Sequence, residues 1–511
     1  MLKLNVKKSD EVLEAFKKAL EIAERIRACN SEYKGFITGV EGSFIEPGPS
    51  GSITRGKVDI LPTGRNFYAV NPASIPTRSA WKIGVETAER LLKYYVRRHG
   101  RYPESVGHWL WSLDGYKADG EQLSQILYLF GTRPVWAEDG SVKGVEIIPL
   151  EKLGRPRIDN MVRISGIVRD TLPNYFHLID EAVSKVAVLD EPLELNYVKK
   201  HYLEFLDDLA RIKRDVSGDA ARCRVWCSPP GTYGAGVNYA IEASAWKTDE
   251  DLAKTWVQWG CYMYTRNSFG KPSPEGLILN LKKVDVVTRN HVSDEHDIFN
   301  CCCYFSYQGG LYNTAKNLTG KQDIEIIIVD TKDITSAEIR GMKEEIERIV
   351  RAKLLNPIWI NGMKKHGYRG ANEFSRKILH LYGWSATTKL VENWVFNEIA
   401  ETYIINEEMR RWFKENNVWA AEEIARRLVE AAERGLWRPS EEMLEQVKDA
   451  YADIEGVLEE NIIGESAIQG SAIRMYTAEE VENWRSKLTK ITEAWKMVAD
   501  TSEKPGERKD E

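Results

Sequence analysis

From about residue 81 to about residue 330 the chain alternates between short apolar runs and stretches of helical period. Residues 81–99 have helical spacing. Residues 106–113 form an apolar run closed by Asp114-Gly115, and 121–130 return to helix. Residues 133–136, 158–164 and 224–227 continue the strand series, with helices around 175–188 and after Gly236. The run Ile324-Glu-Ile-Ile-Ile-Val-Asp330 has the composition of a buried strand, and 336–355 is helical again. Alternation of this kind predicts an α/β fold with a largely parallel sheet and helices on its faces.

The flanks differ. Beyond Leu355 the pattern is helical throughout. Residues 420–434 carry Ile424, Leu428 and Ala432 on one face. The pairs Glu422/Arg426, Glu423/Arg427 and Glu430/Arg434 have the favourable i,i+4 order, and Gly435 stops the helix. Residues 9–29 read as one helix, followed by the connector Glu46-Pro-Gly-Pro-Ser-Gly-Ser52. Four segments are expected: an N-terminal helical segment (1–45), an α/β region (46–335), a mainly helical region (336–464), and a polar helical extension with a charged, disordered tail (465–511).

Composition narrows the function classes. A net charge of -6 over 511 residues leaves no basic footprint for nucleic acid. No apolar run approaches the roughly 20 residues of a membrane span, and the N-terminal residues do not form a signal peptide, so a cytoplasmic protein is expected. Seven Cys without regular spacing fit a reducing compartment. Sixteen Trp and 22 Tyr serve either core packing or the stacking of a flat ligand.

The densest chemistry is Asn290-His-Val-Ser-Asp-Glu-His-Asp297, with two imidazoles and three carboxylates in eight residues. Such groups ligate divalent metals or move protons; a solvated loop is the alternative. His291, His296 and His366 are the candidate metal ligands. Cys301-Cys302-Cys303 follows directly. On a strand, Cys301 and Cys303 would share a face opposite Cys302, so neighbouring thiols would diverge and one ion would be hard to share. Gly51-Ser-Ile-Thr-Arg-Gly-Lys-Val58 nearly spells a phosphate-binding loop, but Val58 replaces the Mg²⁺-binding hydroxyl and Pro62 breaks the helix that should follow. The turn Pro230-Gly-Thr-Tyr-Gly-Ala-Gly236 offers N–H groups, notably at Gly234 and Gly236, to an anion. Arg155, Arg157, Arg163 and Arg169 crowd one stretch, as carboxylate partners or as structural mates of Asp159 and Asp170. Asp114 and Glu121 sit near a strand end, as acids or as helix caps.

One loop, Ile60-Leu-Pro-Thr-Gly-Arg-Asn-Phe-Tyr-Ala-Val-Asn-Pro-Ala-Ser-Ile-Pro-Thr-Arg-Ser-Ala-Trp81, is ordered by its prolines, and Thr77 caps the helix that Trp81 enters. It resembles a segment of the cobaltochelatase large subunit (CobN) and, more loosely, of the magnesium chelatase H subunit. Further segments agree in order: Gly154-Arg-Pro-Arg-Ile-Asp159, Arg163-Ile-Ser-Gly166, Glu191–Asn196, Pro230–Gly236, Glu295-His-Asp297, Leu355–Trp359, Met363-Lys-Lys-His-Gly-Tyr-Arg-Gly370 and Arg434–Trp437.

The resemblance implies tetrapyrrole binding and insertion of a divalent metal in cobalamin-type biosynthesis. Cobalt is favoured, with Mg²⁺ or Ni²⁺ as alternatives. AAA-type partner subunits hydrolyse the ATP. The catalytic candidates are Glu295, His296 and Asp297, which match the family, with Glu121 added from its place near a strand end, and the substrate-contact candidates are Arg65, Arg155, Arg157, Arg163, Gly234 and Gly236. Family members are longer, so a second polypeptide is expected to supply the N-terminal half of the large subunit. The stretch at Cys301–Cys303 is rich in Asp in the family. That departure motivates an alternative, a non-catalytic tetrapyrrole-binding or scaffold protein.

Overall fold

The computed structural model describes residues 9–51, 53–55, 57–68, 70–212, 218–333, 335–461 and 482–500. Its centre is an eight-stranded sheet. In chain order the strands are β1 (Ser105–Leu110), β2 (Asp159–Ile164), β3 (Val225–Cys227), β4 (Tyr262–Tyr264), β5 (Phe269–Pro272), β6 (Val284–His291), β7 (Glu325–Asp330) and β8 (Glu338–Gly341). They lie in the order β8-β7-β6-β1-β2-β3-β4-β5. The five strands from β7 to β3 are parallel; β8, β4 and β5 join antiparallel at the edges, so the sheet is mixed. The expected strand at 133–136 exists but stands apart, pairing Thr132–Trp136 with Val142–Ile147 in a hairpin.

Alternate side chains of the strands feed separate cores. Val106, Val286, Ile327 and Val329 pack against Ala88, Leu91 and Tyr95 of the helix Arg78–His99. Val162, Ile164, Val225 and Cys227 pack with Leu123, Ile126 and Leu127 of the helix Glu121–Leu129. The intervening residues Trp109, Met161, Trp226, Ile326 and Ile328 meet the larger core, built with the helices Asp249–Gly260, Gly310–Thr319, Tyr368–Thr388 and Val418–Glu433. The sheet is therefore covered on both faces, which explains why β1, β2 and β6 are buried at every position. From Met342 to Asn461 the named elements are helices. Thr77 caps the helix Arg78–His99 by accepting from the Ala80 N–H at 3.2 Å.

The connectivity places the functional edge. The chain runs from β1 outward through β2 to β3, whereas β6 leads outward on the other side to β7. The topology switches between β1 and β6, and ligands of open parallel sheets bind beyond the C-terminal ends of the strands at such a point.

Candidate active site at the topological switch point

Beyond the C-terminal ends of β1 and β6 lies a small cavity of about 10 Å³, room for roughly one water. Trp111, Asp114, Gln122, Arg289 and Asn290 line it. Asp114 accepts from the backbone N–H of Gln122 (2.6 Å) and Leu123 (3.2 Å) and from the Tyr175 hydroxyl (2.9 Å). It thus holds the start of the helix Glu121–Leu129, the capping role weighed from sequence. Burial nevertheless pushes its carboxyl up to about 6, against those hydrogen bonds.

Glu121 is buried and ion-paired with Arg55. Arg55 also donates to the carbonyls of Thr331 (2.8 Å) and Val292 (3.2 Å), just past the ends of β7 and β6. Burial raises the Glu121 carboxyl to about 7 despite that guanidinium. Several buried polar atoms at this edge have no protein partner: Arg289 Nη1, both amide atoms of Asn290, His291 Nδ1 and Trp109 Nε1, while Glu121 and Thr331 interact with each other. Buried polar groups are nearly always paired in native folds, so this concentration makes the edge the candidate place for a ligand or ordered solvent.

Aromatic rings and guanidinium groups floor the edge. Tyr307 stacks on Trp109 with centroids 5.5 Å apart, and Tyr304 meets Trp109 edge-on at 5.2 Å. Arg289 lies 4.1 Å from the Tyr304 ring centroid and 4.9 Å from that of Trp109. Arg163 lies 5.2 Å from the Tyr307 centroid and donates to the carbonyls of Gly234 (3.3 Å) and Trp259 (3.2 Å).

The loop after β6 carries the candidate acids and imidazoles. His291 is buried at the strand end, with Nε2 3.4 Å from Asp294; burial pulls its basicity down. Asp294 is held well below the carboxylate range by that contact, and Lys332 (2.7 Å) adds to the effect. The side chain of Glu295 lies outside the described residues. His296 is exposed, its carbonyl accepting from the Tyr304 hydroxyl at 3.0 Å. Asp297 is buried. Burial disfavours its charge, but Lys377 and Lys353 outweigh it and hold the group ionised.

A helix far along the chain grips this loop. Lys377 reaches Asp297 (3.4 Å) and Asn300 (2.7 Å), His380 Nδ1 lies 2.6 Å from the Phe299 carbonyl, and Trp384 Nε1 donates to the Ile298 carbonyl (3.0 Å). Positions 377, 380 and 384 share one helix face, so a single stripe holds four consecutive residues. Arg55 and this stripe were missed in the sequence. The helical spacing of Lys377, His380 and Trp384 was visible, but nothing local tied it to residues 297–300.

The remaining candidates fall elsewhere. Arg155 and Arg157 precede β2 and therefore sit at the opposite end of the sheet from the switch-point edge. Arg157 is saturated by Glu191 (2.7 and 2.8 Å) and the carbonyls of Gly131 and Ile148, and Arg155 by the carbonyls of Tyr128, Leu129 and Pro156. Arg65 donates to the carbonyls of Asp59, Ile60 and Pro62 in its own loop. The Gly234 N–H is taken by the Tyr307 hydroxyl at 3.1 Å, and the Asn238 N–H by Ser306. Gly236 has φ +79° and lies against Trp259, where a Cβ would come within 2.3 Å of the indole. The turn is therefore tight at these two positions, with the Gly234 amide engaged and Gly236 packed against the indole. His366 is exposed between the helices Pro357–Lys364 and Tyr368–Thr388.

His291, His296 and His366 form no three-ligand group. Among the described residues, the set of three or more His, Cys, Asp or Glu ligand atoms within 4.8 Å of one another is Cys301, Cys302 and Cys303. The expected divergence of these thiols fails because the segment is not a strand: Cys302 and Cys303 begin a helix and Cys301 immediately precedes it. A larger cavity of about 860 Å³, with Tyr233, Trp259 and Tyr262 on one wall and Lys487 and Lys490 on the other, lies by the edge strands. The unpaired polar groups cluster at the switch point instead, and the chemistry is assigned there.

The family model described as CobN/Magnesium Chelatase matches residues 3–444. The chain belongs to this family. An uncharacterised protein of Methanocaldococcus jannaschii is 50% identical over 453 residues, spanning 89% of this chain and 36% of that one. The aerobic cobaltochelatase subunit CobN of Pseudomonas aeruginosa is 36% identical over 444 residues, 85% of this chain and 35% of the relative. The solved catalytic subunit of cobaltochelatase from Mycobacterium tuberculosis superposes with a TM-score of 0.79 at 38% identity, covering 83% of this chain and 36% of that one. The chain thus spans about a third of the length of these CobN/magnesium chelatase relatives. No helix of the described residues is long and apolar enough to cross a membrane.

Proposed function

We propose that this chain is the C-terminal part of a cobaltochelatase-type large subunit, which binds a tetrapyrrole and contributes to insertion of a divalent metal, with cobalt favoured. The observation that carries the reading is the set of unpaired polar groups at the switch point, in a chain matched by the chelatase family over residues 3–444. Metal insertion requires the pyrrole N–H protons to leave as the cation enters, so a base must lie beside the macrocycle. Glu121, raised to about 7, is poised to accept a proton near neutral pH. His296 stands exposed on the rim as a second base or a transient ligand for the incoming metal. Arg289, lining the cavity with a free Nη1, is suited to a peripheral carboxylate of the substrate.

A cavity of about 10 Å³ cannot enclose a macrocycle. The edge therefore supplies one wall, and a further polypeptide supplies the other. ATP hydrolysis belongs to AAA-type partner subunits. The Cys301–Cys303 run, where the family resemblance implies Asp, motivates the second reading, a tetrapyrrole-binding scaffold without insertion activity.

An absorbance titration with cobyrinate-type and porphyrin tetrapyrroles, followed by reconstitution with ATPase partners and an N-terminal large-subunit polypeptide, separates the readings. Micromolar binding, about -8 kcal/mol, with cobalt insertion supports the chelatase. Binding without insertion in the full assembly supports the scaffold. Absence of both in the full assembly removes the tetrapyrrole reading altogether.

A further inference from the structure

Three consecutive cysteines rarely converge, and here they do. The Sγ atoms of Cys301, Cys302 and Cys303 all lie within 4.8 Å of one another. The local cause is the start of a helix. The Tyr304 N–H donates to the Cys301 carbonyl (3.1 Å), and the Cys303 N–H donates to the Cys301 sulfur (3.4 Å). Cys301 thus curls over the first turn as a capping Ser or Asp would, which brings its sulfur onto the two that follow. All three are half-buried: packed against the larger core on one side and reachable from solvent on the other. None is in a disulfide.

We infer that Cys301, Cys302 and Cys303 form a three-thiolate site for a thiophilic divalent cation, Zn²⁺ or Co²⁺. Metal–sulfur bonds of about 2.3 Å place the sulfurs of a tetrahedral centre about 3.8 Å apart, inside the observed envelope. Three sulfurs leave the fourth position open toward the exposed side, for water or an exchanging ligand. Binding releases the thiol protons to solvent as the sulfurs become thiolates. Soft sulfur donors select zinc and the later transition metals and reject Mg²⁺, which requires oxygen. The site rests on this geometry and needs nothing from the chelatase reading.

The test uses the reduced, metal-free chain, without tetrapyrrole, titrated anaerobically with Co²⁺. The expected result is one equivalent bound, with thiolate-to-cobalt charge-transfer absorption and the visible bands of a tetrahedral ion. The Cys302→Ser variant should weaken binding more than the loss of an outer hydrogen-bonding partner does, which costs about 10–100-fold. Mg²⁺ should not compete. A second measurement needs no variant: Zn²⁺ should protect these three cysteines from iodoacetamide, as mapped by mass spectrometry, while Cys29 alkylates at an unchanged rate. Absence of the charge-transfer band, or alkylation of Cys301–Cys303 at the same rate with and without Zn²⁺, overturns the site. Either result leaves the tetrapyrrole titration free to succeed or fail on its own.

Discussion

The two ends of the parallel sheet carry similar residues in opposite states. At the N-terminal end, Asp159 meets Arg224 (2.8 and 3.0 Å) and His201 (2.9 Å), Glu104 meets His201 and Lys200, and Arg157 meets Glu191 and two carbonyls. Only Arg224 Nη2 in that group is left without a partner. At the C-terminal end, Arg289, Asn290 and His291 each keep at least one buried polar atom unpaired. At one end every charged group but one atom is matched, whereas at the other the matched pairs Glu121–Arg55 and Asp297–Lys377 stand beside polar atoms left over. A cluster of Arg and Asp is therefore evidence for a site only when its hydrogen bonds are left over.

The largest expected effect tests the saturated end. Arg157→Ala strips a buried guanidinium from Glu191 and from two carbonyls, and should cost about 3–5 kcal/mol in denaturant unfolding. A loss below 1 kcal/mol would break the contrast. Next is the pH dependence at the open end. Glu121 rises from an ordinary 4.5 to about 7 in the folded state. Between these values the native state holds more protons than the unfolded one, so stability falls as pH rises, by about 3 kcal/mol across the window. Glu121→Gln should flatten that slope; an unchanged slope would assign it to other groups.

Smaller effects on stability are expected at the open end itself. Arg289 has no carboxylate within ion-pair distance among the described residues, so Arg289→Met should change unfolding by about 1 kcal/mol or less, in either direction. The same change should weaken tetrapyrrole binding by at least about tenfold. Equal loss in both measurements would make Arg289 a structural residue like Arg157. Smallest of all, His296→Ala should shift stability by less than about 0.5 kcal/mol, because the ring is exposed, while lowering insertion. Unfolding of this variant would place the imidazole in the core instead.

The sheet was legible wherever a strand had its own apolar signature. Ile324–Asp330 announced β7, and the runs at 106–113 and 158–164 announced β1 and β2. Strands β4 and β5 were not legible, because they are three and four residues long and exist through pairing at the sheet edge. The switch-point loop was visible as the dense run 290–297, but its partners were not. Arg55 pairs with Glu121 across 66 residues, and Lys377 with Asn300 across 77. The Arg cluster held a readable clue: Arg155 and Arg157 precede the strand and Arg163 lies within it, so they had to project at opposite ends. The convergence of the Cys triplet was not legible, because strand alternation separates neighbouring side chains and a helix begins there instead.

The stripe of Lys377, His380 and Trp384 has a mechanical consequence. Residues 297–300 are riveted to one long helix rather than to the sheet that delivers them. A machine that tugged on the helical half would move His296 on one flank of the rivet and Cys301 on the other together, as the jaws of a single clamp.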